Sequence, residues 1–321
     1  MSKKVLVTAL SFSRYSQEPR KILEKAGFYL IWNKEGRPLQ EEELIERIKG
    51  VDALIVGVDQ ITEKVIAAAD KLRIICKHGV GVDNINLDAA TGRGIMVINA
   101  PHSNYTSVAD LTFGLLIAAA RKIPYADMIT KKGKWNRIVG REVWGKTIGI
   151  VGTGRIGLAV AQRARGFDMK ILAYDKFPNI QAANEIGFNY VSLEKLLSLS
   201  EFVSLHLPLT KETRHLINEK TLSLMNPEAI LINTARGELV DEKALYQALK
   251  EKRLTGAALD VYAEEPPLNS KLLTLSQVIT TPHIGASTHE ANYRMGCAVA
   301  ESIIKFFAGK IPDYVVTSCR R

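Results

Sequence analysis

The chain has 321 residues, of which 46% are hydrophobic and 24% charged, with 23 glycines and 11 prolines. That length gives a prior of about two domains with self-sufficient cores, and the composition excludes disordered, collagen-like and low-complexity classes. The formal charge of +9 is spread along the sequence, with excesses of +2 in residues 1–100, +5 in 101–284 and +2 in 285–321; with no clustered basic stripe it implies a mild attraction for anions, and no nucleic-acid partner is expected.

Short apolar runs alternate with amphipathic stretches from the start. Residues 4–8 read as a strand, 18–26 as a helix that Gly27 ends, 29–32 as a strand and 41–49 as a helix. Residues 53–56 have the length of a buried strand, Thr62 can cap a helix through Ala69, and 73–76 and 96–98 are further strands. Such alternation predicts a parallel sheet covered on both faces. One long helix is predicted over 107–131, joining two domains or buried in a dimer, followed by a polar segment over 133–145. A second block then carries strands at 147–151, 170–174, 202–206, 230–233, 257–260 and 278–280. The last helix, 289–307, follows the second sheet and is expected to return to the first block. The predicted fold is therefore α/β, with two doubly wound parallel-sheet (Rossmann-like) domains.

Lys3-Lys4 before residues 5–10 mimics a signal-peptide start, but the apolar run is too short and Arg14 follows it. The most apolar stretch, 111–120, is half a membrane span. Cys76, Cys297 and Cys319 form no CxxC and cannot all pair, which fits a reducing compartment. A soluble cytoplasmic protein with no membrane partner is expected.

Gly152-Thr153-Gly154-Arg155-Ile156-Gly157 directly follows the strand at 147–151 and opens a helix rich in alanine. The first glycine allows a tight turn, the second lets the backbone approach a pyrophosphate, and the third lets helix and strand pack closely. The helix start offers free N–H groups and a positive dipole end to phosphates. The next strand ends before Asp175, 18 residues after Gly157, near the roughly 20 expected for a ribose-binding acid. This acid favours NAD over NADP, though Lys176 can soften the preference. A second motif, Gly140 to Thr147, matches GxxxxGK[ST], but it leads into a strand rather than a helix and carries Arg141, Val143 and Trp144. Nucleotide triphosphate binding there is rejected. The sequon Asn104-Tyr105-Thr106 is irrelevant in the cytoplasm, His289-Glu290 lacks a second histidine, there is no GxSxG, and no metal constellation is present.

Polar residues follow three strand ends, where this fold places chemistry. Arg236 follows 230–233, Glu265 follows 257–260, and His283 follows 278–280. Together they supply an anion clamp, a carboxylate and a proton carrier, the set needed for hydride transfer to or from a hydroxy acid.

The segments 152–157, 233–240, 260–266 and 282–288 resemble the D-isomer-specific 2-hydroxyacid dehydrogenases, and the resemblance covers nearly the whole chain. Residues 79–84, 89–93 and 283–291 are most similar to short D-3-phosphoglycerate dehydrogenases. The resemblance implies a discontinuous substrate-binding domain of residues 1–100 and 285–321, an inserted NAD-binding domain of 101–284, and a homodimer built on the latter. It implies that Arg236 binds the substrate carboxylate, that His283 is the general acid/base, and that Glu265 stabilises the protonated imidazole. It further implies cofactor contacts from Leu207, Pro208, Thr234, Ala235, Arg236, Asp260, His283 and Gly285 besides the glycine loop and Asp175. Asp260 would hold the nicotinamide carboxamide side, and His206 would shape the adenine-side wall. Substrate contacts fall to Lys77, Gly79, Val80, Asn104, Arg236 and His283. The implied reaction is oxidation of 3-phospho-D-glycerate, the first step of serine synthesis. Lys77 stands where phosphoglycerate enzymes often carry Arg, Asp110 where Glu is usual, and Val80 where a small polar residue is frequent; no regulatory domain is expected after Pro312. These departures keep a glyoxylate or hydroxypyruvate reductase as the alternative, and a dinucleotide-sensing corepressor-like scaffold as a non-enzymatic one.

Overall fold

A computed structural model describes residues 2–317. The chain forms two compact units: one runs to Asn104 and resumes at Ala286, the other is Tyr105–Gly285.

In the first unit, strands β1 (Lys4–Val7), β2 (Tyr29–Trp32), β3 (Ala53–Val56), β4 (Ile74–Lys77) and β5 (Met96–Ile98) form a parallel sheet ordered β2-β1-β3-β4-β5. Strands β3 and β4 are buried along their whole length, which is why they are unbroken apolar runs apart from Lys77. The period of two sends Leu6, Leu54, Ile75 and Val97 to one face and Val5, Val7, Ile55, Ile74 and Ile98 to the other. The second face is covered by helices Glu18–Lys25 and His289–Phe307, and Val299, Ala300 and Ile303 of the latter are fully buried against it. Past that helix, Val316 N–H donates to Val97 O (2.8 Å) and Val97 N–H to Thr317 Oγ1 (3.0 Å), so the segment lies along the outer edge of β5.

The second unit holds β6 (Thr147–Val151), β7 (Lys170–Tyr174), β8 (Asn189–Tyr190), β9 (Phe202–Leu205), β10 (Ile230–Asn233), β11 (Gly256–Leu259) and β12 (Val278–Thr280), ordered β12-β11-β10-β9-β6-β7-β8, all parallel. Ile148, Ile150, Ile171, Ile230 and Ile232 face helices Tyr105–Arg121 and Arg155–Gly166. Val151, Leu172, Val203, Leu231 and Leu259 face helices Leu193–Leu199 and Glu242–Lys250. The strand order reverses beside β6, whose neighbours are β7 and β9. In such a sheet, ligands bind outside the carboxyl ends of the strands at that reversal.

The single helix predicted over 107–131 is in fact two, Tyr105–Arg121 and Ile123–Lys131. Lys122 between them takes a left-handed conformation (φ +54°), and Pro124 at the start of the second helix has no N–H to continue the first. The sequence reading also passed over helix Leu87–Gly92, capped by Asn86, whose side chain accepts from Ala89 N–H, and the two-residue edge strand β8.

Candidate functional site

The carboxyl end of β6 delivers Gly152 in a left-handed conformation (φ +99°), where a Cβ would lie 2.8 Å from the carbonyl carbon of His206. A Cβ on Gly157 would lie 2.0 Å from the carbonyl oxygen of Gly152. Both positions therefore exclude any side chain, because helix, loop and the end of β9 meet there. Gly154 differs: its Cβ would meet nothing within 4 Å. It caps helix Arg155–Gly166 without a side-chain hydrogen bond, so no side chain at the cap takes up the first-turn N–H groups. Open space beside free helix-start N–H groups is what a pyrophosphate needs.

Asp175, just past β7, closes the other side of this loop. Its Oδ2 accepts from Thr153 N–H (2.6 Å) and from Thr153 Oγ1 (3.1 Å), and its Oδ1 accepts from Phe177 N–H (2.9 Å). A carboxylate offers about four lone-pair sites, so acceptor capacity remains for a ribose hydroxyl. Thr153 Oγ1 also lies 2.8 Å from Tyr190 OH, which accepts from Asn179 N–H (2.9 Å). The short strand β8 thus steadies the glycine loop, a link the sequence reading missed. Lys176 pairs with Glu212 at 2.9 Å on the surface.

Other expected cofactor residues sit at neighbouring strand ends. Leu207 and Pro208 follow β9, and Thr234 and Ala235 follow β10. Thr234 is buried and its hydroxyl meets that of Thr112 at 2.9 Å. His206 Nε2 lies 2.9 Å from Ser204 Oγ, and burial pushes its imidazole down to about 3, so it is neutral at physiological pH.

Arg236, Glu265 and His283 lie in the loops after β10, β11 and β12. Asn233 shapes the first loop: it accepts from Ala235 N–H (3.0 Å) and donates to Arg236 O (2.8 Å). Arg236 is half-buried, with Nη1 donating to Ala235 O at 2.6 Å. Gly237 lets this loop touch the next one, since a Cβ there would lie 1.9 Å from the carbonyl carbon of Tyr262. In the second loop Glu265 Oε1 accepts from Tyr262 N–H (3.1 Å), and Oε2 lies 2.7 Å from His283 Nδ1. A carboxylate can only accept, so Nδ1 carries the proton and Nε2 is the nitrogen left for a ligand. Burial opposes ionisation of Glu265, but the bond from His283, its charge, the Tyr262 N–H and Arg236 together hold the carboxyl below its usual range. Burial, with the Asp260 charge, pushes the Tyr262 phenol up to about 12; its hydroxyl donates to backbone oxygens of Leu259 and Thr281.

Asp260 takes a position that the sequence did not disclose. Its buried carboxylate accepts from Thr281 Oγ1 (2.6 Å), Ile284 N–H (2.8 Å) and Gly285 N–H (2.8 Å), and its carbonyl accepts from His283 N–H (2.9 Å). It therefore holds the whole His283 turn, in which His283 itself has φ +51°. A left-handed conformation at a non-glycine residue is costly and persists only where the surroundings impose it.

Three expected substrate residues of the first unit, Lys77, Gly79 and Val80, lie at or just past the end of β4. Lys77 is buried, with Nζ donating to Gly57 O (2.5 Å) and Asn84 Oδ1 (2.6 Å). Gly79 O accepts from Ala100 N–H (2.9 Å) and Val80 O from Asn99 Nδ2 (2.7 Å). Asn104 is buried, and its Oδ1 has no hydrogen-bond partner among the described residues. Asp110, in the second unit, pairs with Arg163 at 2.7 Å. No group of acids, histidines and cysteines among the described residues could hold a metal ion.

Residues 113–285 match the family description "D-isomer specific 2-hydroxyacid dehydrogenase, NAD binding domain". The chain is 46% identical, over 98% of its length, to a D-3-phosphoglycerate dehydrogenase of Methanocaldococcus jannaschii, and spans 59% of that relative's own length. It is 47% identical to a glyoxylate reductase of Korarchaeum cryptofilum over 89% of this chain and 88% of that one. Among solved structures, NAD⁺-bound 3-phosphoglycerate dehydrogenase of Entamoeba histolytica superposes with a TM-score of 0.84 at 34% identity, covering 99% of both chains.

Proposed function

The chain belongs to the D-isomer-specific 2-hydroxyacid dehydrogenase family, and on that premise we propose that it interconverts 3-phospho-D-glycerate and 3-phosphohydroxypyruvate with NAD, the first step of serine synthesis. The observation that carries the reaction class is the hydrogen-bonded His283–Glu265 pair (2.7 Å), with Arg236 near enough that its charge lowers the Glu265 carboxyl. When bound, NAD supplies the hydride chemistry.

In the reductive direction the guanidinium of Arg236 binds the substrate carboxylate and draws electron density from the 2-oxo group. His283 Nε2 gives its proton to the oxygen on C2 as that oxygen gains charge. Glu265 Oε2 keeps the ring oriented through Nδ1–H and stabilises its protonated form before transfer. In the oxidative direction Nε2 takes the hydroxyl proton back. Asp260 holds the backbone of the His283 turn, so that the ring need not be held by substrate.

Lys77 supports the phosphorylated substrate, as a buried ammonium at the carboxyl end of a parallel strand. A second reading, glyoxylate reduction, is favoured by the tethering of Lys77 Nζ to Gly57 O and Asn84 Oδ1 and by the glyoxylate reductases that match over most of both chains. Steady-state rates on 3-phospho-D-glycerate, 3-phosphohydroxypyruvate, hydroxypyruvate and glyoxylate, each with NAD(H) and NADP(H), decide between them. The first reading fails if kcat/KM for glyoxylate exceeds that for 3-phosphohydroxypyruvate.

A homodimer through the second unit is part of the same proposal. Its support is the exposed apolar series Ile123, Tyr125, Met128, Trp135, Val139 and Trp144, larger than a lone surface residue explains. A cytoplasmic location is proposed from the free thiols of Cys76 and Cys297. Cys319 lies outside the described residues.

A further inference from the structure

Glu265 sits on an exposed stretch between β11 and β12, yet its two oxygens must stay within hydrogen-bond reach of Tyr262 N–H and His283 Nδ1. One side of that stretch is fixed by the contact of Gly237 with Tyr262. The other side is fixed by a single carboxylate from outside it. Glu242, the first residue of helix Glu242–Lys250, accepts from Ala263 N–H at Oε1 (2.8 Å) and from the Ser270 hydroxyl at Oε2 (2.7 Å). Ala263 precedes Glu265 by two residues and Ser270 follows it by five, so one side chain ties the segment before and after the catalytic acid. Glu242 is itself held in place, because Asp241 caps the helix by accepting from Lys243 and Ala244 N–H. It lines a cavity of about 650 Å³ with His215, Tyr246 and Lys271, and among the described residues its carboxylate bonds only Ala263 and Ser270.

We propose that Glu242 is a positioning residue for the reaction: its bidentate grip on residues 263 and 270 sets where Glu265 stands relative to His283. The inference rests on the catalytic reading of Glu265 and His283 given above. A loop freed from this grip can move by an ångström, and misplacement of that size costs about 10²-fold in rate.

The test uses the full chain and whichever 2-oxo acid it turns over best. Glu242→Ala is expected to lower kcat by about 10- to 100-fold while leaving the Kd for NADH within about 2-fold, since the glycine loop lies on β6. Glu242→Gln keeps an acceptor for Ala263 N–H and is expected to restore kcat to within about 3-fold; Ser270→Ala, which removes one arm only, is expected to fall between. In a Glu265→Gln background, Glu242→Ala should cost less than about 3-fold, because coupled residues do not add. An equal loss in both backgrounds, or a change in melting midpoint with kcat intact in Glu242→Ala, overturns the proposal while leaving the mechanism standing. If Glu242→Ala does not fold, the double variant Glu242→Gln/Ser270→Ala decides: a loss of kcat that the Glu265→Gln background abolishes supports the proposal, and an unchanged kcat overturns it. Retained kcat in Glu265→Gln and His283→Ala themselves removes the catalytic reading, and the proposal with it.

Discussion

Replacing Gly237 by alanine tests whether the loops bearing Arg236 and Glu265 form one fixed surface. The backbone of Gly237 is not left-handed, so alanine meets no conformational strain of its own; the cost is purely steric. The new Cβ would stand 1.9 Å from Tyr262 C, 2.1 Å from Tyr262 O and 2.3 Å from Ala263 N. Carbon atoms pack at about 3.5–4.0 Å, so the loops must part by on the order of 1.5 Å. All three atoms are backbone, so no side chain can rotate away to absorb this. Overpacking of a fitted region costs roughly 1–3 kcal/mol, and a displacement of about 1 Å at a reacting centre costs about 10²-fold. The expected result is a loss of kcat of about 10²-fold or more, a lowered urea midpoint, and a Kd for NADH within a few-fold of wild type, because Gly152–Gly157 are borne by a different strand. The assay is NADH oxidation by absorbance, with cofactor binding followed by fluorescence. A kcat within about 3-fold of wild type would refute the reasoning, since it would mean that the two loops tolerate separation.

Asp175→Ala should weaken NAD binding and relax discrimination against NADP, as acceptor and repulsive charge leave together; an unchanged NAD/NADP ratio of kcat/KM would remove Asp175 from the ribose site. His283→Ala should lose about 10²–10⁴-fold in kcat with cofactor binding preserved, and near-normal turnover would sink the acid/base role. Lys77→Ala strands Asn84 Oδ1 and leaves Gly57 O only the Asn84 Nδ2 donor (3.2 Å) whatever the substrate, so the informative quantity is a ratio. KM for 3-phosphohydroxypyruvate should rise at least about 10-fold, or about 1.4 kcal/mol, relative to that for glyoxylate, with Lys77→Arg restoring most of it; equal changes on both acids defeat the phosphate role. His78 is buried in the first unit, and burial, together with the Lys77 charge, pushes its imidazole down to about 4 against an ordinary 6.5. Below pH 6.5 the unfolded chain binds a proton that the folded one refuses, so stability should fall as pH drops toward 4, by on the order of 3 kcal/mol. Urea midpoints that are as steep in His78→Asn as in the wild type over that range would show that another group is responsible.

The sequence made the sheets legible because their strands are buried on both faces. Runs such as 53–56 and 230–233 are apolar at every position or nearly so, and they stand out without any alignment. The glycine loop was legible for a related reason, since Gly152 and Gly157 meet backbone that admits no side chain. The residues after β10, β11 and β12 could be picked out because the fold rule places ligands there. What stayed hidden was the support behind them. Asp260 holds the His283 turn across 21 to 25 residues of sequence, and Glu242 reaches Ala263 and Ser270 across 21 and 28; no local periodicity encodes such contacts. The two oxygens that hold Lys77 lie on separate loops, at Gly57 and Asn84. The break at Lys122 was signalled by Pro124, but the apolar run from Leu111 masked it. Strand β8 is too short to leave a pattern, yet its Tyr190 hydroxyl meets the glycine loop.

The return of helix His289–Phe307 to the first sheet has a consequence for how the molecule is made. Val5, Val7, Ile55 and Ile74 need Val299, Ala300 and Ile303 to cover them, and those residues are synthesised only after the whole second unit. At about 5–20 residues per second, the ribosome spends roughly 10–40 s producing the intervening chain. Throughout that interval the nascent first sheet shows an uncovered apolar face, while the second unit, contiguous in sequence, can close as it emerges. The second unit is therefore contiguous in synthesis, while the first must wait for a helix made after it; a holdase is needed most on the first unit's strands during that interval.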